Sequence, residues 1–521
     1  MNAEHPTPSR RGFLAGGLAI GGVAALSACG VGDSPAPEKS LKISPGGRLR
    51  VGVAGAGSTE SFPGPKMVSY IDVIRTRQVY ERLTTFDPSG QIVNELAQDF
   101  KANDSLDTWT MRLIPDVKFS DGKELTAADV VYTFRWHMDK KNASLAANAI
   151  SNIDPSRVRK VDDRTVEFGL FTPNALFPQD LVNQSLVMMP EGTTDFRNPI
   201  GTGPYVMESF DPGSRMVFGK NPHYRIEGRP YLDRLEIVSV DDPDARVAAL
   251  TSGQLDVIGD VSPLRAREIS QSPSLTLAAS KSGFFLEHLM SCTQAPFNDV
   301  RVRQAMRLLV DREELVQNAF QGYAMVGNDM PSWFDTSAYP DVPQRTYDPD
   351  QARSLLKAAG REDLVIDLFT GKHTAGLLEI GTLSAQQAKA AGVTIKVHDQ
   401  AEQVYYAEDY AIKPFFSDYV TGGPYWFNGP RLQLKDAPYN AAGWVDPDFE
   451  RLYAETRRTP DQGRQFELMR EMQTITYERG ACIIPVFPDF LDAHTKKVGG
   501  LKKSVVLGLG YHNFVDAHVL A

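Results

Sequence analysis

The sequence predicts a fold that mixes strands and helices in several lobes, in the α/β or α+β class. Three observations predict it. Segments with the two-residue alternation of strands are interspersed with segments at helical spacing along the whole chain. No fixed-period repeat or coiled-coil heptad organises them. The 521 residues allow two to four domains at roughly 100–200 residues each.

The first 29 residues read as an address, outside the fold. Arg10-Arg11 is followed by Phe13-Leu14 and a Gly/Ala-rich apolar run to Ala28. That run, about 17 residues, is short and weakly apolar for a spanning helix. It ends in Leu26-Ser27-Ala28-Cys29, which resembles a lipoprotein signal-peptidase site. The expectation is a twin-arginine signal over residues 1–28 and a diacylglyceryl anchor on Cys29. Residues 29–47, rich in Gly, Pro, Ser and charge, read as a flexible tether.

Arg48–Val53 alternates as a strand, and so does Thr108–Leu113, with Trp109, Met111 and Leu113 on one face. Ser120-Asp121-Gly122 marks a hairpin turn. Thr126 and Asp129 have capping-box spacing and open a helix with Val130, Phe134 and Met138 on one side. Asp299 caps the next recognisable helix, with Val302, Met306, Leu309 and Val310 on one face. Asp311 with Glu314 begins another. Gly201 and Gly203 read as a tight chain reversal.

Composition excludes more than it selects. The chain is 42% hydrophobic and 23% charged, with a formal net charge of −10, which is ordinary for a soluble protein. Without a basic block, nucleic acid is not an expected partner. Three cysteines are too few for a disulfide scaffold. Cys292 and Cys482 read as small buried hydrophobes, with a single bridge between them left open. Gly55-Ala56-Gly57-Ser58-Thr59-Glu60 lacks the third glycine of a dinucleotide fingerprint. Walker A, G-x-S-x-G and H-E-x-x-H motifs are absent, and the histidines lack i, i+3 or i, i+4 pairing. Neither cofactor, resident metal nor catalytic residue is expected.

Four ordered stretches carry a resemblance. They are Tyr80–Leu83 with Phe86-Asp87-Pro88 and Glu95-Leu96-Ala97; Trp109–Leu113 through Val117–Gly122 to Leu125–Tyr132; Gly201–Tyr205, Asn221–Tyr224, Arg246–Leu250 and Gly253–Val257; and Pro296–Ala305 with Asp311-Arg312 and Gln321-Gly322-Tyr323. Together they resemble family 5 of the ABC-importer solute-binding proteins, the oligopeptide/dipeptide/nickel group. The resemblance implies a periplasmic-binding-protein-like two-lobed clamp (type II, cluster C) with an inserted domain. It places a first lobe at 48–79, 205–280 and 488–521, the insertion at 80–204 and a second lobe at 281–487. It further implies a monomer outside the cytoplasm that closes on a solute and delivers it to permease subunits with associated ATPases.

The family's peptide amine is typically held by an Asp in a segment that matches Phe415-Phe416-Ser417-Asp418-Tyr419 here. Asp418 is therefore the sharpest candidate, with Phe415, Ser417 and Tyr419 beside it. Phe415 stands where Trp is usual, and the continuation through Val420–Asn428 departs from the family pattern, as does the stretch Ala437–Asn440 with Trp444. Tyr425, Trp426 and Phe427 are candidates for lining an apolar pocket, or for anchoring their loop in the core. Ser58, Thr59 and Glu60 are candidates on the opposite wall, and Asn328-Asp329-Met330 with Trp333 form a further loop candidate. A short peptide is the leading ligand. An oligosaccharide, a metal chelate or another amine-bearing compound is the alternative, and a secreted hydrolase the remote one.

Overall fold

Strand-forming segments far apart in sequence assemble into two large sheets, and the chain crosses between them twice. The computed structural model describes residues 43–520, apart from 56–61, 63 and 68. Cys29 and its preceding segment, most of the tether, and Ser58, Thr59 and Glu60 lie outside the described residues.

The first sheet has seven strands, in the order Leu275–Ser280, Phe490–Thr495, Val257–Ile258, Arg48–Val53, Arg234–Ser239, Arg215–Lys220 and Tyr205–Asp211. Arg48–Val53 runs parallel to both neighbours, as a strand buried between crossover connections does. Its Leu49, Val51 and Val53 lie in the core.

The second sheet has six strands, in the order Ala324–Val326, Cys482–Pro488, Phe285–Met290, Phe415–Val420, Val365–Thr370 and Thr394–Asp399. Helices Val300–Leu308 and Arg312–Phe320 pack on one face. Asp299 accepts from the Arg301 N–H at 2.9 Å and Asp311 from the Glu314 N–H at 3.0 Å, so each helix starts at its capping carboxylate.

Between the helix Tyr70–Val79 and the strand Tyr205–Asp211 lies a four-stranded antiparallel sheet of its own. Trp109, Met111 and Leu113 face its core. The helix Ala127–Met138 starts at a formed capping box between Thr126 and Asp129, and its Phe134 meets Phe168 with ring centroids 4.8 Å apart. Gly122, at φ +89°, closes the turn that follows Phe119. Gly201 and Gly203 have another reason to be glycine. A Cβ on Gly201 would lie 2.0 Å from the Val79 carbonyl oxygen, and one on Gly203 would lie 2.6 Å from that of Gln78. Neither glycine has a positive φ, so close backbone approach decides the residue type here.

The second lobe is locked by a buried ion cluster. Asp329 is fully buried and bonds Arg312 at 2.8 Å and Arg345 at 2.7 Å, with Arg307 3.9 Å away. It also accepts from the Ile484 N–H at 3.0 Å. Burial alone would raise its pKa, but the three guanidinium groups outweigh that and hold it below the ordinary carboxylate range. This residue, read from sequence as a ligand candidate in a loop, is structural. Asn328 bonds Pro343 and Arg345, and Met330 is buried. The two described cysteines are free and only partly buried, so no bridge joins Cys292 to Cys482.

Removing the Asp329 charge leaves buried arginines unpaired, which costs about 3–5 kcal/mol. Asp329→Asn is expected to lower the thermal melting temperature markedly; an unchanged melt would show that the cluster does not lock the lobe.

Candidate functional site

The candidate site is built on the second sheet, on the face opposite the helices Val300–Leu308 and Arg312–Phe320. Side chains alternate along Phe415–Val420, so its residues divide between two faces. Phe415 is 1% exposed and packs on Phe297 and His288 in the helix-side core. Ser417 is fully buried on that same side, 2.9 Å from His288 Nδ1. Both therefore point away from the face that carries Asp418. Tyr419 is partly buried, and its ring packs at a tilt against Phe284 beside the chain crossing.

Asp418 retains some exposure and is surrounded by tyrosines. Desolvation raises its pKa to about 6, against donation by the Tyr419 N–H and by the Tyr410 and Tyr406 hydroxyls. Tyr405 donates its hydroxyl to the Ser417 carbonyl, and Tyr410 packs edge-on to Phe416. These tyrosines stand on the one-turn segment Tyr405–Asp409 and just past it. Burial and the facing Asp418 carboxylate push the Tyr410 hydroxyl well above its ordinary pKa.

Directly across the antiparallel pair, Glu287 is the Cα partner of Asp418. It is 3% exposed, and burial raises its pKa to about 8, with the neighbouring Asp418 charge adding to the effect. The Cys482 thiol and the more distant Arg431 oppose that shift. Arg431 spends its guanidinium on Thr421, and its cation lies over the Phe427 ring. Two carboxyl groups thus share one sheet face, and no ion pair to either occurs among the described residues. Like charges placed directly opposite in a sheet are unfavourable, and such arrangements concentrate at functional sites.

Beyond Asp418 an open groove of about 340 Å³ is lined by Lys372, His373, Asp399, Gln400, Ala401 and Glu402. It lies past the carboxyl ends of the parallel strands Val365–Thr370 and Thr394–Asp399, the edge at which open α/β sheets receive ligands. His373 stacks on Tyr405 at 4.3 Å and meets Tyr406 at 5.7 Å, which joins the groove to the tyrosines around Asp418. Both ring nitrogens of His373 lack a hydrogen-bond partner.

The remaining candidates serve the contact between lobes or the core. Trp426 and Phe427 approach Phe86 of the opposite body at 5.9 and 6.0 Å. Arg457 reaches Asp180 at 3.6 Å, and the Ala175 N–H donates to the Arg457 carbonyl at 2.7 Å. Tyr425 is fully buried in the core, so it anchors its helix. Trp333 donates its indole N–H to the Ser282 carbonyl, bracing the crossing between lobes. Sequence reasoning missed Glu287, His373 and the tyrosines at 405, 406 and 410. The dense Tyr405-Tyr406 and Tyr410 spacing just before Phe415 was the signal available for the last three.

Two sheet-centred lobes and a double crossing between them are the architecture of a solute-binding clamp. A family model described as "Bacterial extracellular solute-binding proteins, family 5 Middle" matches residues 91–429. The chain belongs to that family, which consists of binding proteins, and it is the solute-binding component of an ABC importer outside the cytoplasm. It is 27% identical over 445 residues to the glutathione-binding protein GsiB of Pectobacterium atrosepticum, covering 81% of this chain and 86% of that one. Its fold matches the binding protein AgaA from A. tumefacien R10, solved with agropinic acid, at a TM-score of 0.77 and 20% identity, over 91% of this chain and 99% of the other. It also matches DppA from Helicobacter pylori, solved with the peptide STSA, at a TM-score of 0.78 and 18% identity, over 92% and 99%.

The raised pKa of Glu287 sets a sign for stability against pH. Folding takes up a proton on this group, so its contribution is fully present below the unfolded value of 4.5 and is lost as pH rises through about 8. Asp492, also raised to about 8 by burial, and Glu81, raised to about 7, act in the same direction. His137, His288 and His512, each lowered to about 4 by burial, act in the opposite direction below about pH 6.5 but over a narrower window. Wild-type protein is therefore expected to melt lower at pH 9 than at pH 5. Glu287→Gln should narrow that gap by at least about 2 °C, and calorimetric melts at the two pH values provide the check.

Proposed function

We propose that this chain captures a solute bearing a primary ammonium group, with a short peptide as the leading case, through Asp418. The observation that carries this reading is the placement of Asp418 among tyrosine hydroxyls, with no described cation paired to it. A carboxylate held in a low-dielectric setting gains most from a ligand ammonium, because a hydrogen bond to a charged group contributes about 1.5–3 kcal/mol. Glutathione, named for the related GsiB, carries an ammonium on its γ-glutamyl residue and supports the same reading. Closure of the lobes around the solute supplies the dry surroundings, and hinge opening releases it intact to the permease. The boundaries at 80, 205, 281 and 488 mark the pieces that would move as bodies.

The N-terminal segment completes the proposal. A twin-arginine signal over residues 1–28 exports the folded chain, a diacylglyceryl group on Cys29 holds it at the membrane surface, and the tether to residue 47 gives the clamp reach. The protein acts as a monomer and carries out no chemistry on its cargo.

Glutathione and tri-alanine serve as probes. At least one is expected to raise the melting temperature and shift tryptophan emission, with one ligand per monomer. Asp418→Ala should weaken that binding at least tenfold while leaving the unliganded melt intact. Undiminished affinity in the variant, or cleavage of the bound probe, would overturn the reading.

A further inference from the structure

Resting on that reading of Asp418, we propose that Glu287 is the second carboxyl group of the ligand site and carries a proton that is released when an ammonium group binds, so that capture is coupled to proton release. No local sequence pattern marks Glu287. It enters through register, because Glu287 and Asp418 are Cα partners in adjacent antiparallel strands and share a face with Leu289, Phe416 and Val420.

The groups that face the pair from each packed element leave it short of positive charge. The Cys482 thiol faces Glu287 from the neighbouring strand Cys482–Pro488. From the helix Tyr425–Gln433 comes Arg431, already bonded to Thr421 and covering Phe427. Tyr405, Tyr406 and Tyr410 face Asp418 from the segment before its strand, and Glu402 adds a further negative charge near Tyr406 and Tyr419. Glu287 also lines a small cavity of about 20 Å³ with Tyr439, Asn440, Gln433 and Cys482, room for about one water molecule through which a proton can leave.

Two carboxyl groups placed this closely and kept from solvent do not both ionise near neutrality. The more exposed Asp418 ionises first and Glu287 keeps its proton. An arriving ammonium supplies the missing positive charge. The O–H bond of Glu287 then breaks, the proton passes to solvent, and the ligand cation held at Asp418 compensates both carboxylates. A neutral ligand cannot make that exchange, so Glu287 selects for ligand charge.

Infrared difference spectra of the unliganded full chain test the first half. A protonated-carboxyl band should be present at pH 7, fade by pH 9.5, and be reduced in Glu287→Gln, with circular dichroism confirming that the variant is folded. Asp418→Asn provides a second variant in which Glu287 should titrate nearer its ordinary range. A wild-type spectrum without a band that Glu287→Gln removes overturns the inference, whatever the chain binds. Titration calorimetry with glutathione and tri-alanine at pH 7, in phosphate and in Tris, tests the second half. Wild type should release up to one proton per ligand bound, and Glu287→Gln close to none. Binding without proton release overturns the inference and leaves the amine-capture reading intact. No heat and no melting shift with either probe defeats that reading, and this inference with it.

Discussion

The double crossing between lobes constrains everything else in this molecule. The strand Cys482–Pro488 belongs to the second sheet and Phe490–Thr495 to the first, with only Asp489 between them. The other crossing, from Ser280 to Phe285, is fastened alongside. Lys281 bonds Asp489 at 3.0 Å, the Ser282 hydroxyl donates to the Pro488 carbonyl, and the Trp333 indole donates to the Ser282 carbonyl. A hinge needs a short segment that absorbs backbone rotation between bodies that do not deform. Asp329 supplies that stiffness on one side, since it grips the Ile484 N–H and three arginines four to five residues before the crossing.

Rigidity on that side determines where the site can be. The strands Phe285–Met290 and Phe415–Val420 are central in the second sheet, so their register is fixed by the buried residues of both faces. That register places Asp418 opposite Glu287. An isolated pair of carboxyls is a poor choice for stability, and the fold compensates by apolar packing at Leu289, Phe416 and Val420 on the same face. Destabilising groups held in place by a stable frame are what a binding site built for a charged ligand requires.

Much of the frame was legible in local sequence, and the site only in part. Caps at Thr126, Asp299 and Asp311 and the turn at Gly122 act within a few residues, so spacing alone reveals them. Asp418 was found through its resemblance to a family segment. Its neighbours Phe415 and Ser417 were grouped with it by proximity in sequence, whereas strand alternation turns them to the other face. Glu287 lies 131 positions from Asp418 in sequence, and only a pairing register brings the two together. Asp329 looked like a ligand residue because its three arginine partners are separated from it in the chain. Gly201 and Gly203 were correctly read as obligatory glycines for the wrong reason, since close approach to residues 78 and 79 is a tertiary fact.

Under the proposed amine capture, the same electrostatics gives a two-lobed clamp a way to reject the wrong solute. Apolar and aromatic contacts around a cleft discriminate weakly, since one methylene changes affinity by only about 1–3 kcal/mol. A buried carboxyl pair discriminates by omission. If Asp418 holds the ligand amine as proposed, a solute without a cation leaves it unpaired in a low-dielectric cleft once the lobes shut, and that penalty falls on the closed state alone, because the open cleft lets water solvate the charge. Phe86 meets Trp426 and Phe427, and Asp180 meets Arg457, across the contact between lobes. A ligand shifts a two-state equilibrium only by its differential affinity for the two states. On the proposed reading of Asp418 and Glu287, selection for charge and selection for closure become a single free-energy term.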